Sequence, residues 1–322
     1  MALLHLGRSF AFALLALGTS SVLAQAYPSK PVRFVTASVS SPQDVVGRIF
    51  AQKLGDSWGQ PVVVDNRAGA GALLSVQTVA KAPADGYTVL ISSTAYAVTP
   101  FLYQNTGYDA EKDLIPVALL ATAPNIIVTS PNSGIKTLKD AVDRAKSGRQ
   151  VRYGSPGFGT TPQLSAEYLF KVLAKADVMH VPYKGIPPLM QGALSGEVEL
   201  AATALPPSVP LIKTGRLVGL AVTSATRSGA VPDVPTIAEA GFTGFEDDSW
   251  VGVWVPASTP APVIAKLRAE LAQAAAAPDV REKLRNVGFD AGTIGPDAFS
   301  ALVQKELKKW ARVVKETGTK VE

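Results

Sequence analysis

Cysteine is absent from all 322 residues. That excludes disulfides, thiolate nucleophiles and cysteine-ligated metals in one stroke. Histidine is nearly absent: His5 and His180 are the only two. His5 falls in a stretch expected to be removed, so a histidine-built zinc site or a serine–histidine couple away from His180 is excluded by counting. Blocks of like charge are missing as well. The net charge of +5 is spread along the chain, which argues against nucleic acid as a partner and mildly for a small anionic ligand. Long apolar runs are missing beyond the N-terminus; no later stretch reaches the roughly 18 uninterrupted apolar residues of a membrane span. The early run Ser9–Leu17 follows Arg8 and leads to Ala24-Gln25-Ala26. This is the layout of a secretory signal peptide over residues 1–26, with a periplasmic mature chain and no membrane insertion expected.

What is present centres on Val151–Thr161, VRYGSPGFGTT, ahead of the amphipathic run PQLSAEYLFKVL. A short strand enters a turn with three glycines, and a helix starts at Thr160 or Thr161. Thr160 with Gln163 forms a candidate capping box, and Pro162 suits a first helical turn. Leu164, Tyr168 and Val172 mark the helix's inward face. Free N–H groups and the positive helix end then point at the turn, an arrangement that favours a carboxylate or phosphate. An ordinary strand–turn–helix link is the competing reading of the pattern.

Upstream, Pro31–Ala37, Pro61–Asp65 and Tyr87–Ser92 read as strands, and helices fill the intervals over Pro42–Trp58 and from Leu73. This βαβαβ order implies a parallel sheet with ligands beyond the carboxyl ends of its strands. Those ends carry Ala37–Ser41, with Ser38 and Ser40, and Ser92–Tyr96, with Ser92 and Thr94. Asp44, three residues after Ser41, fits a capping-box variant better than a ligand contact. Gly69 and Gly71 do not make a dinucleotide fingerprint, because Leu74 stands where the third glycine belongs. Leu114–Val128 is a long β passage interrupted at Ala123-Pro124-Asn125. The α/β pattern then restarts with helices at Leu138–Lys146, Gln163–Leu173, Pro187–Leu194 and Pro207–Lys213. Strands are expected at Val178–Val181, Val198–Ala201 and Leu217–Thr223. Ser249–Pro256 reads as a return strand, and Pro260–Lys315 as helices covering the first sheet. Two lobes follow, 27–124 with 250–322 and 125–249, crossing near residues 121–126 and 245–252.

Enzyme motifs fail on context. Ser133-Gly134-Ile135-Lys136 and Lys213-Thr214-Gly215 match two serine β-lactamase motifs, but no S-D-N accompanies them. Ser133 and Lys136 precede the helix cap at Thr137, and Gly215 reads as a helix C-cap where a strand is required. No nucleophile elbow and no acidic cluster with metal spacing appears. No enzyme, no cofactor and no metal are expected.

The pieces YPSKPVR (27–33), GQPVVVDNRAGAG (59–71), ADGYT (84–88), YGSPGFGT (153–160), HVPYKG (180–185), LAVTSATRS (220–228) and PDVPTIAEAGF (232–242) occur in that order. In them the chain resembles the periplasmic solute-binding proteins of tripartite tricarboxylate transporters, the TctC or Bug type. The resemblance implies an α/β, two-lobed Venus-flytrap fold, each lobe an open, mainly parallel sheet with flanking helices, and a cleft for small organic acids, often dicarboxylates. It implies that Ser155, Gly157, Gly159 and Thr160 hold a ligand carboxylate through backbone and hydroxyl donors. Tyr183 and Lys184, after a strand, are placed to reach the same anion. It implies a monomer that engages membrane transporter subunits transiently. A sensor serving a signalling receptor is the alternative from another class, and a secreted hydrolase the third.

Two departures from the family pattern stand out. The first β–α turn, commonly a run such as PFPPGGGTD, is here Thr36–Asp44 with only the Asp retained, which alters reach and hydrogen bonding. Thr203 stands where the family commonly has an Asp, in a phrase such as MFDNLPS. Loss of that carboxylate removes a partner for an ammonium group and favours a plain or partly apolar acid over an amino acid.

Overall fold

A computed structural model describes residues 27–69, 72–292 and 294–319. The expected signal peptide, its cleavage site and Gly71 lie outside the described residues. In chain order the first elements are β1 (Val32–Thr36), α1 (Pro42–Trp58), β2 (Val62–Asn66), α2 (Leu73–Ala80), β3 (Thr88–Ser93), α3 (Ala95–Leu102) and β4 (Leu114–Thr129). Next come α4 (Leu138–Lys146), β5 (Arg152–Ser155), α5 (Thr161–Glu167), β6 (Met179–Pro182), α6 (Ile186–Ser195), β7 (Leu200–Ala204), α7 (Val209–Lys213) and β8 (Val218–Val222). The chain closes with β9 (Asp248–Pro256), α8 (Ala261–Ala276), α9 (Pro278–Asn286), β10 (Asp290–Ala291) and α10 (Pro296–Thr317).

The ten strands form a path β2-β1-β3-β9-β4-β7-β5-β6, with β8 and β10 also paired to β4. Parallel pairing joins β2, β1 and β3 in one half and β7, β5 and β6 in the other. Every pair made by β9 or β4 is antiparallel, so each half is a parallel core completed by a strand that crosses over. β4 belongs to both halves. From Leu114 to Pro124 it pairs with β9; from Asn125 onward it pairs with β7 and β8. The sequence pattern suggests an interruption at Pro124, yet the strand runs through and changes partners there. Proline cannot donate to a ladder, and its carbonyl instead accepts from Leu205 N at 2.9 Å.

Apolar layers cover both faces of each half. On the first, Val46, Phe50 and Leu54 of α1 and Leu267 and Leu271 of α8 pack on Phe34, Val89 and Val253. On its other face α10 supplies Phe299, Trp310 and Val313 against Trp250, Trp254 and Tyr96. Gly252 makes this approach possible, since a Cβ there would lie 2.3 Å from Phe299 Cζ. The second half is packed by α4 and α5 on one side and by α6 on the other. Leu164 and Tyr168 are buried as their spacing suggests, but they join the layer under α10. The helix carrying them widens to a π-helical turn over Tyr168–Leu173. α10 therefore touches both halves instead of covering the first sheet alone.

A buried polar network sits at that junction. Asp247, just before β9, accepts from Asn125 Nδ2 at 2.8 Å, Ser165 Oγ at 3.0 Å and Lys309 Nζ at 2.8 Å. Lys309 also lies 2.7 Å from Glu306, which accepts from Trp310 Nε1 at 2.9 Å. Burial pushes the Glu306 carboxyl up. Burial works against the Lys309 ammonium, yet the two carboxylates outweigh it and raise its pKa. A single cation thus offsets two buried anions. Removing it leaves them unmatched, so Lys309→Met should cost about 3–5 kcal/mol in urea unfolding. The exposed pair Lys53–Asp279 provides the contrast, and Lys53→Met should cost less than about 1 kcal/mol. Equal effects of the two substitutions would contradict the role given to Lys309.

Candidate functional site

A cleft of about 880 Å³ lies beyond the carboxyl ends of the parallel strands, lined from both halves. One side is the β1–α1 loop, Ala37–Ser41, and the first residues of α1, Pro42 and Gln43, with Gly69, Ala72, Ser93, Ala95 and Ser249. The other is Pro156–Pro162 after β5, Lys184–Pro188 after β6, and Ala204. Asn125 lies between them, where β4 changes partners. Helices α1, α3, α5 and α6 all begin at this lining. Their N-terminal ends carry partial positive charge. Among the described residues the only charged side chain on the lining is Lys184. Among the described residues no carboxylate lines the cleft, so the charge its helix ends and Lys184 contribute is positive.

The β1–α1 loop is held from below. Ser40 adopts a left-handed φ of 61°, and its N–H donates to Asp44 Oδ2 at 2.9 Å. Asp44 Oδ1 accepts from Arg48 Nε at 3.1 Å and from Asn66 Nδ2 at 2.9 Å. Asn66 Nδ2 also reaches the carbonyl of Ala37 at 3.3 Å. Ser41 caps α1, accepting from Asp44 N. The expected capping-box variant is thus present but shifted, since the Asp44 carboxylate takes the N–H of Ser40 rather than that of Ser41. With its side chain turned inward, Asp44 leaves Ser38, Val39 and Ser40 to form the cleft wall, and Val39 is 68% exposed.

The β5–α5 loop faces it. Gly157 and Gly159 have φ of 142° and 72°, conformations that favour glycine. Thr160 stands at the N-cap but makes no side-chain cap; its hydroxyl donates to Gly157 O at 2.8 Å. Gln163 Oε1 accepts from Gly159 N at 3.1 Å. The capping box expected of Thr160 and Gln163 is therefore not formed. Both side chains brace the glycine turn instead, and the first turn of α5 stays uncapped toward the cleft. Behind the loop, Ser155 Oγ lies 2.7 Å from His180 Nε2. The imidazole stacks on Tyr153, and Phe158 meets it edge-on, both with centroids 4.9 Å away. Burial lowers the His180 pKa.

Ser38, Ser40, Gly157, Gly159, Thr160 and Lys184 are all brought to the lining. Five other expected residues lie behind it. Ser155 is fully buried against His180. Tyr183 packs its ring between Gly154 and Gly192, where an added Cβ would come within 2.8 Å and 2.2 Å of it. Thr94 fastens the end of β3 to β9, its Oγ1 accepting from Trp250 N at 3.2 Å. Ser92 and Thr203 are buried within their strands. Their neighbours Ser93 and Ala204 reach the cleft, because successive strand residues face opposite ways. Sequence reading passed over Asn125, Gln43, Ser93 and Ser249; strand parity at Ser92-Ser93 was the one signal available for any of them. Ser133 ends a short 3₁₀ turn and Lys136 precedes α4; neither lines the cleft.

Comparison with known proteins gives a consistent result. The profile of the Tripartite tricarboxylate transporter family receptor, TctC, matches residues 46–319. The UPF0065 protein in the tcbD-tcbE intergenic region of Pseudomonas sp. (strain P51) is 37% identical over 308 residues, spanning 94% of this chain and 91% of the relative. BugT of Bordetella pertussis is 33% identical, with 93% of each chain covered. The solved structure of R. palustris Rpa4515 with adipate superposes with a TM-score of 0.84 at 33% identity, covering 92% of this chain and 100% of that one. MatC from Rhodopseudomonas palustris with bound malate gives 0.79 at 30% identity, covering 89% and 100%.

The brace under the β1–α1 loop has a pH signature. Burial would raise the Asp44 carboxyl, but hydrogen bonds from Asn66, Arg48 and Ser40 outweigh it and hold the pKa below the ordinary value. A depressed carboxylate stabilises the fold fully above its unfolded pKa of about 3.9, and the contribution fades as pH falls through the native value. Asp44→Asn should therefore lose about 1.5–3 kcal/mol in urea unfolding near pH 7. The gap to the parent protein should narrow on acidification below about pH 4. A gap that widens on acidification would contradict the brace.

Proposed function

Since this chain belongs to the tripartite tricarboxylate transporter receptor family, we propose that it is a periplasmic protein that captures a small organic acid in its cleft and delivers it to a membrane transporter of that type. The observation that carries this reading is the convergence of four helix N-termini and Lys184 on a cleft without a carboxylate. Such a lining attracts an anion and offers N–H donors to its oxygens. Relatives solved with adipate and with malate support a carboxylate as cargo.

Ser38 and Ser40 from one side, and Gly157, Gly159, Thr160 and Lys184 from the other, are the proposed contacts. Ser155, Tyr183 and Thr94 act behind them by fixing the loops. The two lobes, 27–124 with 250–322 and 125–249, close over the cargo about the crossings near residues 121–126 and 245–252. Closure follows if the closed arrangement binds the acid better than the open one, and the transporter then reads the closed form. No step changes the cargo covalently.

Calorimetry on the purified protein with adipate, malate and benzoate, set against 1,6-diaminohexane and 1,6-hexanediol, tests the reading. At least one acid should bind, and neither the diamine nor the diol should. Lys184→Met should weaken that acid by roughly ten- to a hundredfold, the range of a charge-assisted hydrogen bond. Gly157→Val, which forces a branched side chain into a left-handed backbone beside Tyr183 O, should abolish binding while leaving a cooperative thermal transition. Chromatography should return the acid unchanged. Preference for the diamine, or turnover beyond one equivalent, would overturn the proposal.

A further inference from the structure

Two large apolar side chains stand exposed on the cleft lining, one from each wall. Val39, on the β1–α1 loop, is 68% exposed, and Phe158, on the β5–α5 loop, is 53% exposed. Both are therefore open to a molecule that enters. Each also sits on a braced loop. Val39 precedes Ser40, whose N–H is tied to Asp44 Oδ2 at 2.9 Å. Phe158 stands edge-on to His180, which stacks on Tyr153 and is hydrogen-bonded to Ser155. Tyr153 is buried in the core, so three rings lead from the interior out to the cleft. Ile186 and Pro187, at the start of α6, extend the apolar surface on the wall that carries Phe158.

A lone apolar residue at a protein surface is ordinary. A pair on the facing loops of one cleft is different, because a single molecule between the walls covers both. Apolar area removed from water contributes free energy roughly in proportion to its extent. Neither side chain has anything to offer a carboxylate, which belongs at the helix ends and Lys184. What they fit is the part of the cargo that carries no charge. Resting on the carboxylate reading above, we infer that the captured acid has an apolar body, an alkyl chain or a ring, and that Val39 and Phe158 are the specificity-determining residues that hold it between the walls. A body covered in hydroxyl groups is disfavoured, since those hydroxyls lose water against faces that return no hydrogen bond.

Calorimetry with pairs of equal charge and equal carbon skeleton tests this: hexanoate against gluconate, adipate against galactarate, and cyclohexanecarboxylate against quinate. In a pair that binds, the plain acid should exceed its polyhydroxy counterpart by roughly tenfold or more, the effect of about two methylenes taken out of water. Val39→Ser and Phe158→Ser, each checked by thermal melting, should weaken the plain acid more than the polyhydroxy acid and so narrow the gap. Phe158→Leu, which keeps an apolar side chain, should restore most of it. Equal affinities within every binding pair would overturn the inference and leave the carboxylate reading intact; that is the result expected if Val39 and Phe158 only meet each other when the cleft closes. Preference for the polyhydroxy acids would overturn it too, as would a gap unchanged in both serine variants. Failure of every acid to bind would overturn the carboxylate reading and this inference with it. The comparison within the parent protein decides the matter even where a variant does not fold.

Discussion

A carboxylate taken out of water must be matched by charge and by hydrogen bonds, or the fold that buries it is lost. Asp247 satisfies that requirement with groups from three separate parts of the chain: Asn125 of β4, Ser165 of α5 and Lys309 of α10. The residue itself opens the return strand β9. A side chain with no freedom to go unpaired thus fixes, at one point, both strands that cross between the halves and the helix that lies over both. The aromatic layer of Trp250, Trp254, Phe299 and Trp310 supplies the apolar burial around it, but burial alone is indifferent to register. The polar network gives the junction a single geometry.

The cleft depends on that junction because its two walls come from different halves. Among the described residues Lys184 is the only charged side chain on either wall. The positive field comes from where the helices begin, and that follows from the α/β architecture, in which helices after parallel strands start beyond the strands' carboxyl ends. The loops are left to set distance. Asp44 and Asn66 pull one inward; Thr160 and Gln163 tie the other across its glycines. Side chains suited to capping are used here to hold loops, which leaves the first turn of α5 without a side-chain cap.

Much of this was legible in the sequence. The βαβ order, the helix over 42–58 and the glycine turn after β5 all announced themselves through periodicity and turn residues. The family motifs named the fold. Parity was harder. Ser92 and Ser93 are chemically alike, and only the sheet decides that Ser93 faces the cleft; the same holds for Thr203 and Ala204. Pro124 looked like a break because proline ends many strands, but at a change of partners its missing N–H is not needed. Asn125 was hidden inside that apparent break. α3 was missed because Ala95–Leu102 contains Pro100 and follows a polar strand end. The π-helical turn and the inward use of Thr160 rest on contacts with distant residues, which local pattern does not carry.

The sharing of β4 and β9 has a bearing on how such a chain is made. The first half lacks its antiparallel strand β9 and its helices α8 and α10 until residues 248–317 are available. Everything between residues 130 and 247 must therefore emerge before the half that began first can be completed. A chain made from its N-terminus cannot complete its leading half while the remainder is still being synthesised. The same connectivity that gives both walls of the cleft a shared strand keeps the fold incomplete until its last helix arrives.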